Sequence, residues 1–383
     1  MLKENFHNNS ELNQLNHPDL DKKANDTINS LRKRMMPVAD ELAKLKERIN
    51  EAEKTQDIAA LNTLKAESLP KMKRLIDLQT RVKRIRETGV VRPEVSGSVS
   101  VEDAMEIMGE RDVLGPEAVE KVFGIKLKPD EIPAIPFSIA ELERAEEFGQ
   151  YLILRTDKDD LGQPLTMKNL MAMKYRQDYS ESGSTTGGKK GKLTYSSSYE
   201  GEFFDQDPIA CRWSLVDRGI IGSGESLATK AKGFKSVEKD YFQQTKLLKD
   251  YILALYPDQE LPTKYQEAIA ELESYTKANF NSLTDDEINE EMSNDCERYA
   301  KELSELKLND LLRKTPAEEL YDLVAYFDHN DQRLDQGLHN WTKRRNSDGA
   351  LVRVGSFGVA GAHVSGRPPD DANDGLGFSS SRS

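Results

Sequence analysis

The stretch from Trp341 to Ser383, WTKRRNSDGALVRVGSFGVAGAHVSGRPPDDANDGLGFSSSRS, constrains the fold more than any other part of the chain. From Asn346 onward it has no Lys, Glu, Gln, Met, Trp, Tyr, Ile or Thr, although the chain as a whole is crowded with Lys and Glu. Gly, Ala, Val, Ser, Asp, Asn, Arg and Pro take their place, and that composition alone describes a disordered tail. The spacing of the apolar residues argues for order. Val352, Val354 and, across Gly355-Ser356, Phe357 predict a short strand with a bulge or tight turn at the glycine. Leu376-Gly377-Phe378 predicts a second short strand closing the chain. Between them Gly358 to Gly375, with isolated Val359 and Val364, reads as a loop pinned at both ends and tolerant at its tip.

At 383 residues the chain has room for two or three domains and a sizeable core. A net charge of -13 and a pI near 5.1 argue against a nucleic-acid or anionic-membrane binder. No apolar run reaches the ~20 residues of a spanning helix. The opening MLKENFHNNSELNQLNHPD lacks the apolar core of a secretory signal. Cys211 and Cys296 have no CxxC partner and read as free thiols in a reducing compartment, so a cytoplasmic location is expected.

Residues 1–17 read as a disordered tail and 18–90 as an antiparallel helical hairpin. Ile28, Leu31, Met35, Val38, Leu42, Leu45 and Ile49 form a coiled-coil seam, which Pro37 should kink or restart. After a polar turn, Leu61, Leu64, Leu69, Met72, Leu75, Ile76, Val82 and Ile85 line the returning helix. The basic run KMKRLIDLQTRVKRIR reads as a solvated flank. So narrow a seam invites a partner, either another copy, making a homo-oligomer, or the downstream domain.

Residues 91–130 read as a linker with short helices near Val101–Met108 and Pro116–Phe123, and the main domain is placed at 131–383. Ser138 with Glu141, Thr284 with Glu287 and Thr315 with Glu318 are capping boxes that each open a helix, the second expected to run to Leu308. Val237–Tyr256 and Lys264–Phe280 are further helices. Tyr151–Arg155 and Arg212–Arg218 read as buried strands, with Trp213 in the core.

Candidate chemistry is thin. Asp157, Asp159 and Gly162 imitate a calcium loop, but Leu161 and Lys168 stand where ligands belong, and a turn between strands is expected. Gly183–Lys190 (GSTTGGKK) nearly matches a phosphate-binding loop, yet Lys190 replaces the magnesium-binding Ser or Thr and neither strand nor helix flanks it. The five histidines form no metal spacing, and no GxSxG elbow occurs. Carboxylates on these charged helices are expected to face solvent. No catalytic residue, metal or cofactor is assigned.

Val352-Arg-Val-Gly-Ser-Phe357, the following loop, Gly377-Phe378 and the terminal Ser-Arg-Ser resemble the end of C-type-lectin-like domains of the formylglycine-generating-enzyme type. The TPAEELYDLVAYF helix and His339-Asn-Trp-Thr342 resemble that family's helix and Trp-containing strand. Gly-Gly-Ser-Trp and Gly-Phe-Arg, usual in the family, are here Val354-Gly-Ser-Phe357 and Gly377-Phe-Ser379. Within that fold, the tail resembles the variable proteins of diversity-generating retroelements, in which template adenines are randomised during copying. An AAC or AAT codon so treated yields Asn, Asp, Ser, Gly, Ala, Val, His, Arg, Pro and others, but never Lys, Glu, Gln, Met or Trp.

The resemblance implies an α+β protein: the helical hairpin, then a divergent C-type-lectin-like domain with large helical insertions, with 341–383 the variable region. It implies a non-catalytic ligand-display protein whose partner is a protein or other macromolecule. Expected contact residues are Asn346, Gly358, Val359, Ala360, Ala362, His363, Ser365, Gly366, Arg367, Asp370, Asp371, Asn373 and Asp374, with Arg367 and His363 as anchors. The alternatives are an oxidase of the formylglycine-generating type, whose neighbouring C-terminal cysteines this chain lacks, and a structural coiled coil with a flexible tail.

Overall fold

The computed structural model describes residues 22–55, scattered positions from 60 to 86, and 99–174, 193, 203–221, 234–257, 260–335, 337–358 and 361–383. The 1–17 segment, the first part of the linker (91–98) and the GSTTGGKK stretch lie outside the described residues. The chain divides into two compact units, 1–96 and 97–383.

In the first unit, helix α1 (Lys22–Lys54) spans 33 residues without the interruption expected at position 37. A proline removes one amide hydrogen bond, and the turns on either side carry this helix through. Ile28, Met35, Val38, Leu42, Leu45 and Ala52 are buried along one stripe. Leu45 and Ala52 share an apolar cluster with Leu64, and every described position from 60 to 86 is helical.

The second unit mixes α and β, and it begins well before residue 131. Helices α2 (Val101–Met108) and α3 (Pro116–Phe123) flank strand β1 (Val113–Leu114), and Ala104, Val113, Val119 and Phe123 sit in the main core. The stretch read as linker therefore contributes packing from residue 99 onward. Helix α4 (Ile139–Glu147) starts at its Ser138 box and leads into β2 (Gln150–Arg155), whose residues are all buried. The calcium-like segment is a turn that leads from β2 to helix α5 (Met167–Lys174), not to another strand. There the Asp159 carboxylate accepts from the Leu161 and Gln163 amides. A short α6 (Phe203–Gln206) precedes β3 (Arg212–Asp217), and Trp213 is buried as expected.

Helices α7 (Tyr241–Leu255) and α8 (Thr263–Asn279) follow. The single helix expected from Thr284 to Leu308 is three: α9 (Asp285–Asn294), α10 (Cys296–Glu305) and α11 (Lys307–Leu312). The backbone leaves helical geometry at Asp295 (φ -140°, ψ 55°) and at Leu306 (φ -59°, ψ 131°). The bends let Ile288, Met292, Tyr299, Leu303 and Leu308 all reach one core, which a straight rod of that length could not do. Helix α12 (Pro316–Asn330) opens on the Thr315–Glu318 box with Pro316 in its first turn.

The chain ends in β4 (His339–Arg345), β5 (Leu351–Gly358), β6 (Gly361–Arg367), β7 (Leu376–Gly377) and β8 (Ser381–Arg382). Two corrections follow. Seven residues of the expected Gly358–Gly375 loop are strand β6, hairpinned onto β5. Leu376-Gly377 is a strand but does not close the chain, because β8 follows it into the other sheet. The sheets run β1-β2-β3-β8 and β6-β5-β4-β7.

The candidate contact face of the second sheet

Side chains on a strand alternate between faces, and residues paired across neighbouring strands share a face. Val352 and Val354 on β5, with Ala362 and Val364 on β6, enter the core that contains α12. A pairing shift between Gly355 and Gly358 then puts Phe357 on the same side, as a bulge would. Gly355 takes φ +151° and Ser356 φ +51° there. A Cβ on Gly355 would stand 2.8 Å from His339 Cα and closer still to the Leu338 carbonyl, so only glycine fits. Phe357 packs edge-on against Phe327, and Arg333 stacks over both rings while donating to the Gly358 carbonyl at 3.1 Å.

The opposite face is half covered. Trp341 and Leu351 belong to a second core formed by α7 to α11, with Trp341 edge-on to Tyr241. Across the strands from these two, cover gives way to polar groups. His339, Gly355 and His363 form one row, and Trp341, Arg353 and Ser365 the next. The His339 and His363 rings meet edge to face at 6.2 Å over the side-chain-less Gly355. Arg353 Nε donates to Ser365 Oγ at 2.9 Å. Arg367, exposed, pairs loosely with Asp371 at 3.6 Å. Burial first, and then the charges of Arg353, His363 and Arg367, push the His339 imidazole down to about 4.

The expected contact residues thus divide. His363, Ser365 and Arg367 share this face, with Asp371 beside Arg367. Ala362 does not belong to it: it is buried, because its place in the alternation turns it inward. Gly366 also faces away, where a Cβ would come within 3.0 Å of Asn346 Nδ2 and 3.2 Å of Ala350 Cβ. Asn346 is a turn-builder, buried, with its Oδ1 accepting from the Ala350 amide at 2.8 Å. Gly358 serves through its carbonyl, and Val359 and Ala360 lie outside the described residues.

The 368–375 segment is held in place. The Tyr241 amide donates to the Pro369 carbonyl and the Glu238 amide to that of Asn373. Asn373 Oδ1 accepts from the Gly375 amide, while its Nδ2 donates to Asp371. Asp370 sits near the Cys296 thiol at 3.8 Å, and Asp374 is exposed.

His339 and Arg353 are the face residues that sequence reasoning missed. The usable signal was parity: Arg353 lies between two valines of the α12 core, so it must point to the opposite face, where it is buried against its neighbours.

A second polar cluster lies under the first sheet. Glu318, Glu319 and Asp322 of α12 are buried, against the expectation of solvent-facing carboxylates. Arg155 grips Asp322 through two nitrogens at 2.9 and 2.6 Å, lies 3.5 Å from Glu318, and donates to Ser214 and Ser381. Lys314 pairs with Glu319 at 2.7 Å and donates to Ser379. Burial alone would raise Glu318, but Arg155 and Arg212 bring it down to about 2. These groups bond one another across β2, β3, α12 and β8 and act as a structural clamp.

Among the described residues no set of three or more His, Cys, Asp or Glu side chains is placed to hold a metal ion, and no helix is long and apolar enough to cross a membrane. No family model, curated protein or solved structure matches the chain.

Proposed function

We propose that this chain is a ligand-display protein: a C-type-lectin-like domain, preceded by a helical hairpin, whose second sheet presents an exchangeable contact face. One observation carries the reading. Strand β6 alternates Ala362 and Val364, buried, with His363, Ser365 and Arg367, which are exposed or half-buried on the other face. Half its positions hold the backbone, so the other half can change without disturbing it. Substitutions at such surface positions shift stability by no more than about 0.5 kcal/mol.

Diversification by a retroelement accounts for the residues missing after Asn346, and the alternation says where its changes belong. Sequencing around the gene tests this. A near-identical copy of the tail's coding DNA beside a reverse transcriptase, differing only at adenines, is the expected finding. The differing codons should fall on His363, Ser365, Arg367, Asp370, Asp371 and Asp374, sparing Val352, Val354 and Val364. Absence of any such copy, or changes spread evenly over inward and outward positions, removes the proposal.

A further inference from the structure

One segment of this chain is held by the rest as a peptide ligand is held by a receptor. After Phe378, the last residue of the chain in either apolar core, residues 379–382 leave the second sheet and reach β3, where β8 pairs antiparallel as the edge strand of the first sheet among the described residues. All four are buried, yet none is apolar. Alternate side chains go to opposite sides. The Ser380 amide and Oγ both donate to Asp217 at 2.6 Å. Arg382 donates to Gln150 at 3.3 Å and to the Tyr256 hydroxyl at 3.1 Å, with the Glu141 carboxylate 3.8 Å away. On the other side Ser379 and Ser381 accept from Lys314 and Arg155, each at 3.1 Å.

We infer that this edge of the first sheet is a peptide-binding groove, that residues 379–383 fill it as a detachable strap, and that the same extended Ser-Ser-Ser-Arg-Ser segment of a second copy can take its place. The groove is separate from the display face and does not depend on that reading. Its own groups stay partnered when the strap leaves. Asp217 still accepts from Gln150 and Tyr251, and Arg155 still holds Asp322. Lys314 still pairs with Glu319, and the Tyr256 hydroxyl still donates to Glu141. The receptor is therefore preorganised. Release takes no residue out of either apolar core, and the freed polar groups exchange their bonds for bonds to water, a change of modest net cost. Main-chain pairing on an edge strand, with alternate side chains read by pockets, is how sheets take extended peptides. Exchange of an identical segment between copies is a low-cost route to a dimer.

Native-state hydrogen exchange on the full chain reads detachment without any substitution. The Ser380 amide donates to the Asp217 carboxylate and the Asp217 amide to the Ser380 carbonyl. Both should be protected at least about tenfold less than the Val324 amide inside α12. Occupancy by a second copy's segment is read by fluorescence anisotropy with a labelled Ser-Ser-Ser-Arg-Ser peptide, beside its Arg→Glu counterpart. Wild type carries its own strap as a competitor at high effective concentration. In full-length Arg382→Glu the strap has lost its guanidinium and meets the Glu141 carboxylate, so it stays out. That protein should fold and bind the Arg peptide at least about tenfold more tightly than wild type does, and should not bind the Glu peptide. Protection at Ser380 and Asp217 equal to that at Val324 overturns the inference. So does an Arg382→Glu chain that unfolds, that binds neither peptide, or that binds both alike.

Discussion

Arg155 and Arg367 carry the same side chain into opposite circumstances. Arg155 is wholly buried, and its donors meet Asp322, Glu318, Ser214 and Ser381. Arg367 is half exposed and leans on a single carboxylate at 3.6 Å. Arg155, Lys314 and Arg212 stand against Glu318, Glu319 and Asp322, so cations and anions are matched. Around Arg367 water solvates most of the charge, since its side chain is half exposed. Matched charges out of water tie distant segments into one arrangement, since a partner left alone in the core costs several kcal/mol. A charge at the surface, held by water and one loose ion pair, contributes little to stability.

The sharpest way to break that comparison is to delete one arginine at a time. Arg155→Ala leaves Asp322 buried without its partner and should lose about 3–5 kcal/mol in urea unfolding. Arg367→Ala should lose no more than about 0.5 kcal/mol. Pairing Arg155→Met with Asp322→Leu removes both charges and should recover much of the loss. Similar costs for the two single variants would mean that the two arginines are not differently placed.

The same contrast exists within one strand, between neighbours. Ala362→Asp puts a carboxylate into the α12 core and should cost roughly 2–5 kcal/mol. His363→Asp, one residue along but facing the other way, should cost about 0.5 kcal/mol or less. The measurement is again the unfolding midpoint of each variant. If both are tolerated, β6 is not packed by its even-numbered residues, and the alternation that supports the display reading is gone.

How much of this was legible in the sequence depends on how far apart the interacting residues are. The boxes at Ser138, Thr284 and Thr315 declare helix starts within four residues, and all three form. The bulge after Val354 is legible because the apolar positions change parity at Gly355-Ser356. Strand β6 is harder: GAHVSGR has one sizeable apolar residue, and its glycines imitate a loop. Its strand character comes from pairing with β5. The breaks at Asp295 and Leu306 leave no local mark, since the bends are set by the core they wrap. Burial of Glu318 and Asp322 was out of reach, because the justifying partner Arg155 stands more than 160 residues earlier. A carboxylate reads as solvent-facing until its cation is known.

Titration gives the comparison its finest test, because each region holds a group displaced toward the same pH range with opposite effect. Beneath the sheets, Asp335 accepts from the Ile220 amide at 2.8 Å and from Asn340 at 2.6 Å. Burial, and then the charge of Glu319, raise it from 3.8 to about 7. Between those values the folded chain keeps a proton that the unfolded chain has released, so this group makes stability fall as pH rises. Asp217, Asp240 and Glu319, also raised by burial, act in the same sense. His339, at the edge of the contact face, is lowered from 6.5 to about 4. In that interval the unfolded chain holds the extra proton, and stability rises with pH. One proton is worth at most about 1.4 kcal/mol per pH unit, so the two slopes oppose each other over much of the same range. Asp335→Asn should therefore make the stability profile between pH 4 and 7 less steeply falling than wild type. His339→Gln should make it fall more steeply, by removing a contribution that rises with pH. Urea midpoints taken across that interval decide the matter: slopes displaced in the same direction by both variants would mean that the contact face and the buried network do not differ in how they hold charge.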